Sequence, residues 1–206
     1  MVILPSTYLG NVCYFSKLGF GECVIDIHEH YVKQSYRTRA DILTANGPLA
    51  LSVQVVHAGG KIPVKDVRLD YSKRWQHQHW VSLVSAYRSS PYFDHYADLF
   101  APFYERRYEF LLDLNCELTL TLLRALGLPE ELKLSESYIV PAPDDEDLRT
   151  SLSPKPQRRR PDSGFRAEPY CQVFSERFGF VPGLSVIDLL FCEGPDSGEL
   201  LRICRG

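Results

Sequence analysis

Between Glu29 and Arg39 the chain reads Glu-His-Tyr-Val-Lys-Gln-Ser-Tyr-Arg-Thr-Arg, placing Lys33, Arg37 and Arg39 within seven residues and interleaving them with tyrosines. If this segment is extended, the three cations share one face, because side chains alternate along a strand. Such a face can grip a diphosphate through charge-assisted hydrogen bonds, with arginine supplying bidentate contacts and tyrosine a stacking surface. The alternative is a solvated edge strand protected by its charge.

A second group of polar residues sits near the C-terminal end. Ser185-Val186-Ile187-Asp188 precedes an apolar run and has the serine-to-acid spacing of a capping box. Asp188 is also a candidate general base, or an orienting group for a ligand hydroxyl, if the helix start faces a pocket. Gln172, in a Tyr-x-Gln pattern beside Val173 and Phe174, reads either as a buried amide fixing the backbone or as a donor and acceptor for substrate. His28 and His30 would share a strand face with Asp26, and His77 and His79 flank Gln78. Two such pairs do not make the three or four converging ligands of a closed zinc site, so no metal is assigned. His79, set among aromatic residues, is kept as a catalytic candidate. No GxSxG elbow, P-loop or GxGxxG fingerprint is present.

These groups must be held by a chain of 206 residues with 45% hydrophobic composition, about the size of one domain. A net charge of -3 offers no broad basic surface, so nucleic acid is a poor default partner. No apolar run approaches the length of a spanning helix, and Met1 to Tyr8 do not read as a signal peptide, so a cytoplasmic protein is expected. Six cysteines without a CxxC pair read as reduced thiols.

Hydrophobic periodicity predicts a mixed α/β fold: N-terminal strands with a β-hairpin, covered by middle and C-terminal helices, in a single domain over 1–206. Val2-Ile3-Leu4, an amphipathic segment from Val12 to Leu18, and Cys23 to Ile27 give a strand, helix, strand order that favours a parallel pair. Asn46-Gly47 between two apolar runs predicts the hairpin, with Pro48 disturbing one end. Ile62 to Tyr71 is expected to be extended. A helix is expected around Trp80, Leu83, Val84 and Tyr87, another from Ser90-Pro91 onward, and a third along Leu111, Leu114, Leu118, Leu122 and Ala125, stopped by Gly127 and Pro129. Residues 141–168 are rich in proline and charge and read as a long surface loop, either disordered or a cover over a site.

One resemblance spans most of the chain. It is carried by Leu4-Pro5 with Tyr8 and Gly10, by Lys33, Arg37 and Arg39, by Trp75 and His79-Trp80, by Ser90-Pro91-Tyr92-Phe93, and by Asp147-Leu148-Arg149 with Pro154-Lys155. Pro169 to Phe174 and the run from Gly179 to Pro195 complete it. The sequence resembles the WbqC-like protein family, whose pattern has an asparagine where this chain has Thr38. The resemblance implies a bacterial setting among genes for O-antigen and related surface polysaccharides, and leaves the reaction and any cofactor unspecified. The leading expectation is a transferase acting on a nucleotide- or lipid-linked sugar. In it, Lys33, Arg37 and Arg39 hold phosphate, Arg149 and Lys155 close over the ligand, and Gln172 and Asp188 position hydroxyls or move a proton. The alternative is a noncatalytic scaffold that binds a pathway enzyme through Trp75, Trp80, Tyr92, Phe93, Phe100 and Phe103. A metal-dependent hydrolase stands third.

Overall fold

Val2, Ile3 and Leu4, once buried, must pair their backbone groups with strands along both edges. In the computed structural model, which describes residues 1–56, 61–155, 157 and 164–205, they do so. Strand β1 (Val2–Leu4) pairs in parallel with β2 (Cys23–Ile25), Val2 beside Cys23 and Leu4 beside Ile25. The crossover is helix α1 (Val12–Leu18), whose first turn is capped by Asn11 accepting from the Tyr14 amide at 2.9 Å. The expected parallel pair and its helix are both present.

A hairpin follows, β3 (Arg39–Thr44) with β4 (Gly47–Ser52). Its turn lies one residue earlier than the Asn46-Gly47 pattern predicts: Ala45 and Asn46 form the loop, and Gly47, at φ 103°, opposes Thr44. Because only Gly47 needs positive φ, the turn has the type I plus glycine form rather than the type I′ form. Pro48 pairs with Leu43 on a strand that has no second neighbour among the described residues, where its missing amide costs least. Residues 62–71 are not the continuous strand expected. Val64–Asp66 is a short 3-10 turn, and single bridges join Val55 to Leu69 and Arg68 to Phe110.

The helices are α2 (Trp75–Tyr87), α3 (Phe93–Phe100) and α4 (Leu111–Ala125), followed by α5 (Ser175–Phe178), α6 (Val186–Glu193) and α7 (Ser197–Cys204). Leu111, Leu114, Leu118 and Leu122 are at most 1% exposed, so the predicted stripe of α4 is its buried face. Helix α6 is buried from Val186 to Cys192. Its Phe191 meets the rings of Tyr87, Phe93 and Phe100 at 5.4, 5.1 and 5.9 Å, uniting the middle helices with the C-terminal segment in one core.

The main departure from expectation is in the acidic stretch of the presumed loop. Glu146–Asp147 forms strand β5, parallel to β1 on the side opposite β2, and Leu148 donates its amide to Ile3. Two residues are too few to show a period, and the surrounding Asp and Pro residues hide the strand. Lys17, nearly buried, holds Glu146 at 3.1 Å. Arg158, Arg159, Arg160 and Pro161 of the expected loop lie outside the described residues. No helix among the described residues is long and apolar enough to cross a membrane.

Candidate functional site

In the sheet order β2-β1-β5 the chain crosses from β1 to β2 on one side and later returns to β5 on the other, so the strand order reverses between β1 and β5. In open parallel sheets, ligands bind beyond the carboxyl ends of strands at such a point. Here those ends lead directly into charged residues: β2 into Asp26, and β5 through Leu148 into Arg149.

Asp26 is fully buried and is saturated by partners. It accepts from the His28 amide at 2.9 Å, Ser135 Oγ at 3.1 Å and the Ile139 amide at 3.3 Å, and it pairs with Arg149 Nη1. Arg149 also forks onto Asp147, with Nε and Nη2 at 2.9 and 2.7 Å from its two oxygens, and lies 4.9 Å from the centre of the Tyr138 ring. Arg37 is 2% exposed. It forks onto Glu29 and donates to the Arg149 carbonyl at 3.0 Å. Burial pushes the Glu29 carboxyl up to about 7, against the pull of Arg37. The two arginines are thus committed to a buried network that ties residues 26–37 to 147–149. The Lys33, Arg37, Arg39 face is not formed, because residues 33–38 turn rather than extend: Gln34 has φ 55°, and Thr38 closes onto the Ser35 carbonyl. Lys33 is left exposed, Arg37 buried and Arg39 half-buried.

That turn opens a cleft. Gln34, Thr38, Arg39, Ser52 and Lys155 line a cavity of about 360 Å³. The hairpin register places Arg39 beside Ser52. Asp41 holds the Arg39 guanidinium at 2.8 Å through one carboxylate oxygen, fixing the fork while leaving most of its five donors for another partner. Thr38, at the position where this chain departs from the family pattern, is 3.3 Å from Tyr31 Oη. A second cavity of about 490 Å³ adjoins the first through Gln34 and includes Tyr31 and Lys33. Two cations, an amide and two hydroxyls around one cavity suit a phosphate bearing a hydroxyl-rich group.

The remaining candidates lie elsewhere and line neither cavity. Asp188, fully buried, accepts from Tyr170 Oη at 2.7 Å, Tyr87 Oη at 2.8 Å and Gln172 Nε2 at 3.2 Å. Burial raises its pKa, and the three donors act against that rise. Gln172 also spans the Val181 backbone in both directions, donating to its carbonyl at 3.0 Å and accepting from its amide at 2.8 Å. Ser185 caps α6 by accepting from the Ile187 amide at 3.4 Å, but the capping box is half made, because the Asp188 carboxylate turns to the tyrosines.

His79 is buried against Trp75, and its Nδ1 is hydrogen-bonded to Tyr8 Oη at 2.9 Å; Tyr8 in turn meets Tyr104 Oη at 3.1 Å. Burial lowers the imidazole pKa to about 4, and the Ser52 backbone acts against that fall. The unfolded chain therefore binds more protons than the folded protein between about pH 4 and 6.5, and stability carried by neutral His79 falls as pH drops through that window. A His79→Gln variant is expected to lose up to about 3 kcal/mol of this pH dependence, read as a flatter urea midpoint between pH 6.5 and 4.

His28 and His30 do not share a strand face with Asp26, because β2 ends at Ile25. Among the described residues no group of three or more His, Cys, Asp or Glu side chains is arranged to hold a metal ion. Among the described residues no cysteine is in a disulfide. Trp75, Phe93, Phe100 and Phe103, named for a partner surface, are buried core, and Trp80 and Tyr92 are partly buried against it.

Sequence reasoning missed Gln34 and Ser52 in the cleft and Asp26, Glu29 and Asp147 in the network. Asp26 enters the sequence reading only as a strand-face partner of His28 and His30, because the predicted strand runs to Ile27, whereas the observed one ends at Ile25. Nothing in the spacing marks Ser52, which reaches the cleft only through the hairpin register.

Across its length the chain is similar to the uncharacterized protein Rv1507c of Mycobacterium tuberculosis, with 28% identity over 229 aligned positions that cover 100% of this chain and 98% of that protein. No solved structure matches it. A family model matches residues 6–159, which hold the buried network and the cleft, whereas the Pro169 to Pro195 motif lies beyond the matched span. The chain belongs to the WbqC-like protein family.

Proposed function

We propose that this protein is a cytoplasmic enzyme of bacterial surface polysaccharide biosynthesis, a transferase that acts on a nucleotide- or lipid-linked sugar. The observation that carries the reading is the cleft in which Arg39 and Lys155 share a cavity with Gln34, Thr38 and Ser52. In this reading Arg39 and Lys155 hold phosphate oxygens, and the amide and hydroxyls orient the sugar. Arg37 and Arg149 act one step behind, as the frame that fixes the turn carrying Gln34 and the segment carrying Lys155. The pathway in this reading is what the resemblance to the WbqC-like family implies.

The test is transfer of label from nucleotide sugars to an acceptor membrane fraction. Wild-type protein is expected to transfer from one donor, and Lys155→Ala to lose at least ~10-fold in rate, the worth of one charged hydrogen bond. Transfer at the wild-type rate by Lys155→Ala would remove the cleft from the reaction.

A further inference from the structure

The cationic cleft does not end at Gln34. The adjoining cavity has a floor of Val53, Val55, Ile62 and Val67, a tyrosine wall in Tyr31, and polar groups in Gln54 and Asp66. Its volume of about 490 Å³ is within the range of sites for small organic ligands. The two cavities share more than Gln34: Tyr31 Oη lies 3.3 Å from Thr38 Oγ1, and the Val53 amide donates to the Thr38 carbonyl at 2.8 Å, so Tyr31 and Val53 of one are joined to Thr38 of the other.

Resting on the reading of the cleft as a phosphate site, we infer that the ligand is a nucleoside diphosphate derivative. Its base occupies the Tyr31, Val53, Val55, Ile62 cavity, and its diphosphate passes Gln34 to reach Arg39 and Lys155. A base is flat and apolar on its faces and carries donors and acceptors on its edge, which matches an aliphatic floor, one tyrosine and the Gln54 and Asp66 side chains. A polyprenyl chain has no donor or acceptor to offer Gln54 or Asp66, and would strip water from them without compensation. The charges also set the direction. This cavity sets Asp66 against Lys33, and its Arg68 is already paired with Glu109 and packed over Phe110, whereas the far end of the path is lined by Arg39 and Lys155 with no carboxylate among its lining residues.

The test is calorimetric titration of wild type, Val55→Trp and Tyr31→Ala. The probes are inorganic pyrophosphate, the diphosphates of uridine, cytidine, adenosine and guanosine, and a short polyprenyl diphosphate in detergent. At least one nucleoside diphosphate is expected to bind 10-fold or more tightly than pyrophosphate. That advantage should disappear in Val55→Trp, which fills the cavity while leaving pyrophosphate affinity unchanged, and shrink in Tyr31→Ala. Pyrophosphate binding with no preference for any nucleoside overturns this inference while leaving the phosphate reading in place. A gain confined to the polyprenyl diphosphate, or a nucleoside preference that survives both substitutions, also overturns it. Failure of pyrophosphate and all the nucleotides to bind overturns both readings.

Discussion

Arg149→Ala is expected to destabilise the protein by about 3–5 kcal/mol, the cost of breaking a buried ion pair by removing one partner. The size follows from what is left behind. Asp26 is fully buried, and without the guanidinium its charge keeps only the Ser135 hydroxyl and two backbone amides. Asp147 loses both of its bonds to the guanidinium, and the Ile139 carbonyl loses a donor. Since β5 is only two residues long, the arginine is a principal tie between this segment and β2. Urea unfolding at pH 7 measures the loss. A paired Asp26→Asn, Arg149→Ala variant should lose less than the sum of the single changes, because neutralising Asp26 removes the orphaned charge. A loss below ~1 kcal/mol for Arg149→Ala would show that the network does not hold the fold.

Asp188→Ala is expected to cost about 3–4 kcal/mol, because three buried donors lose their shared acceptor at once. Tyr87, Tyr170 and Gln172 come from α2 and from the segment before α5, so the carboxylate joins α6 to both. Tyr87 Oη also accepts from the Leu43 amide at 3.3 Å, which extends the loss to the hairpin. Asp188→Asn keeps the shape and one acceptor oxygen and should cost about half as much. The pair of variants separates two roles. Stability loss in proportion to lost hydrogen bonds identifies a structural carboxylate, whereas an Asp188→Asn protein that is fully stable but fails to transfer sugar would identify a catalytic one.

Elements with a repeating pattern were legible in the sequence. The α4 stripe, the Val12 to Leu18 helix between two short apolar runs, and the hairpin all follow from periodicity and turn chemistry. The hairpin register slipped by one residue because Asn46-Gly47 fits two turn types and only the backbone decides between them. Strand β5 was not legible, since partnership with β1 rather than its own sequence makes Glu146–Asp147 a strand. The cation segment was legible as chemistry but not as geometry. Alternation puts Lys33, Arg37 and Arg39 on one face only in an extended chain, and the left-handed Gln34 breaks it. Arg37 then finds Glu29, eight residues back, and leaves the surface. Arg39 and Lys155 line one cavity only because the hairpin and the segment after β5 converge, and no local pattern encodes the proximity of residues 116 positions apart in the chain.

The central claim is that Arg39 and Lys155 form one phosphate-binding site. Titration of inorganic pyrophosphate into wild-type protein and into an Arg39→Ala, Lys155→Ala double variant tests it most directly. Each lost charged hydrogen bond is worth about 1.5–3 kcal/mol, so each cation should contribute about 10- to 100-fold in affinity. Both side chains lie at the rim of the fold, and thermal midpoints should agree to within a few degrees. The account predicts binding by the wild type that weakens with added salt and is lost in the double variant. Equal affinity in the two proteins, or no binding by the wild type, would contradict it.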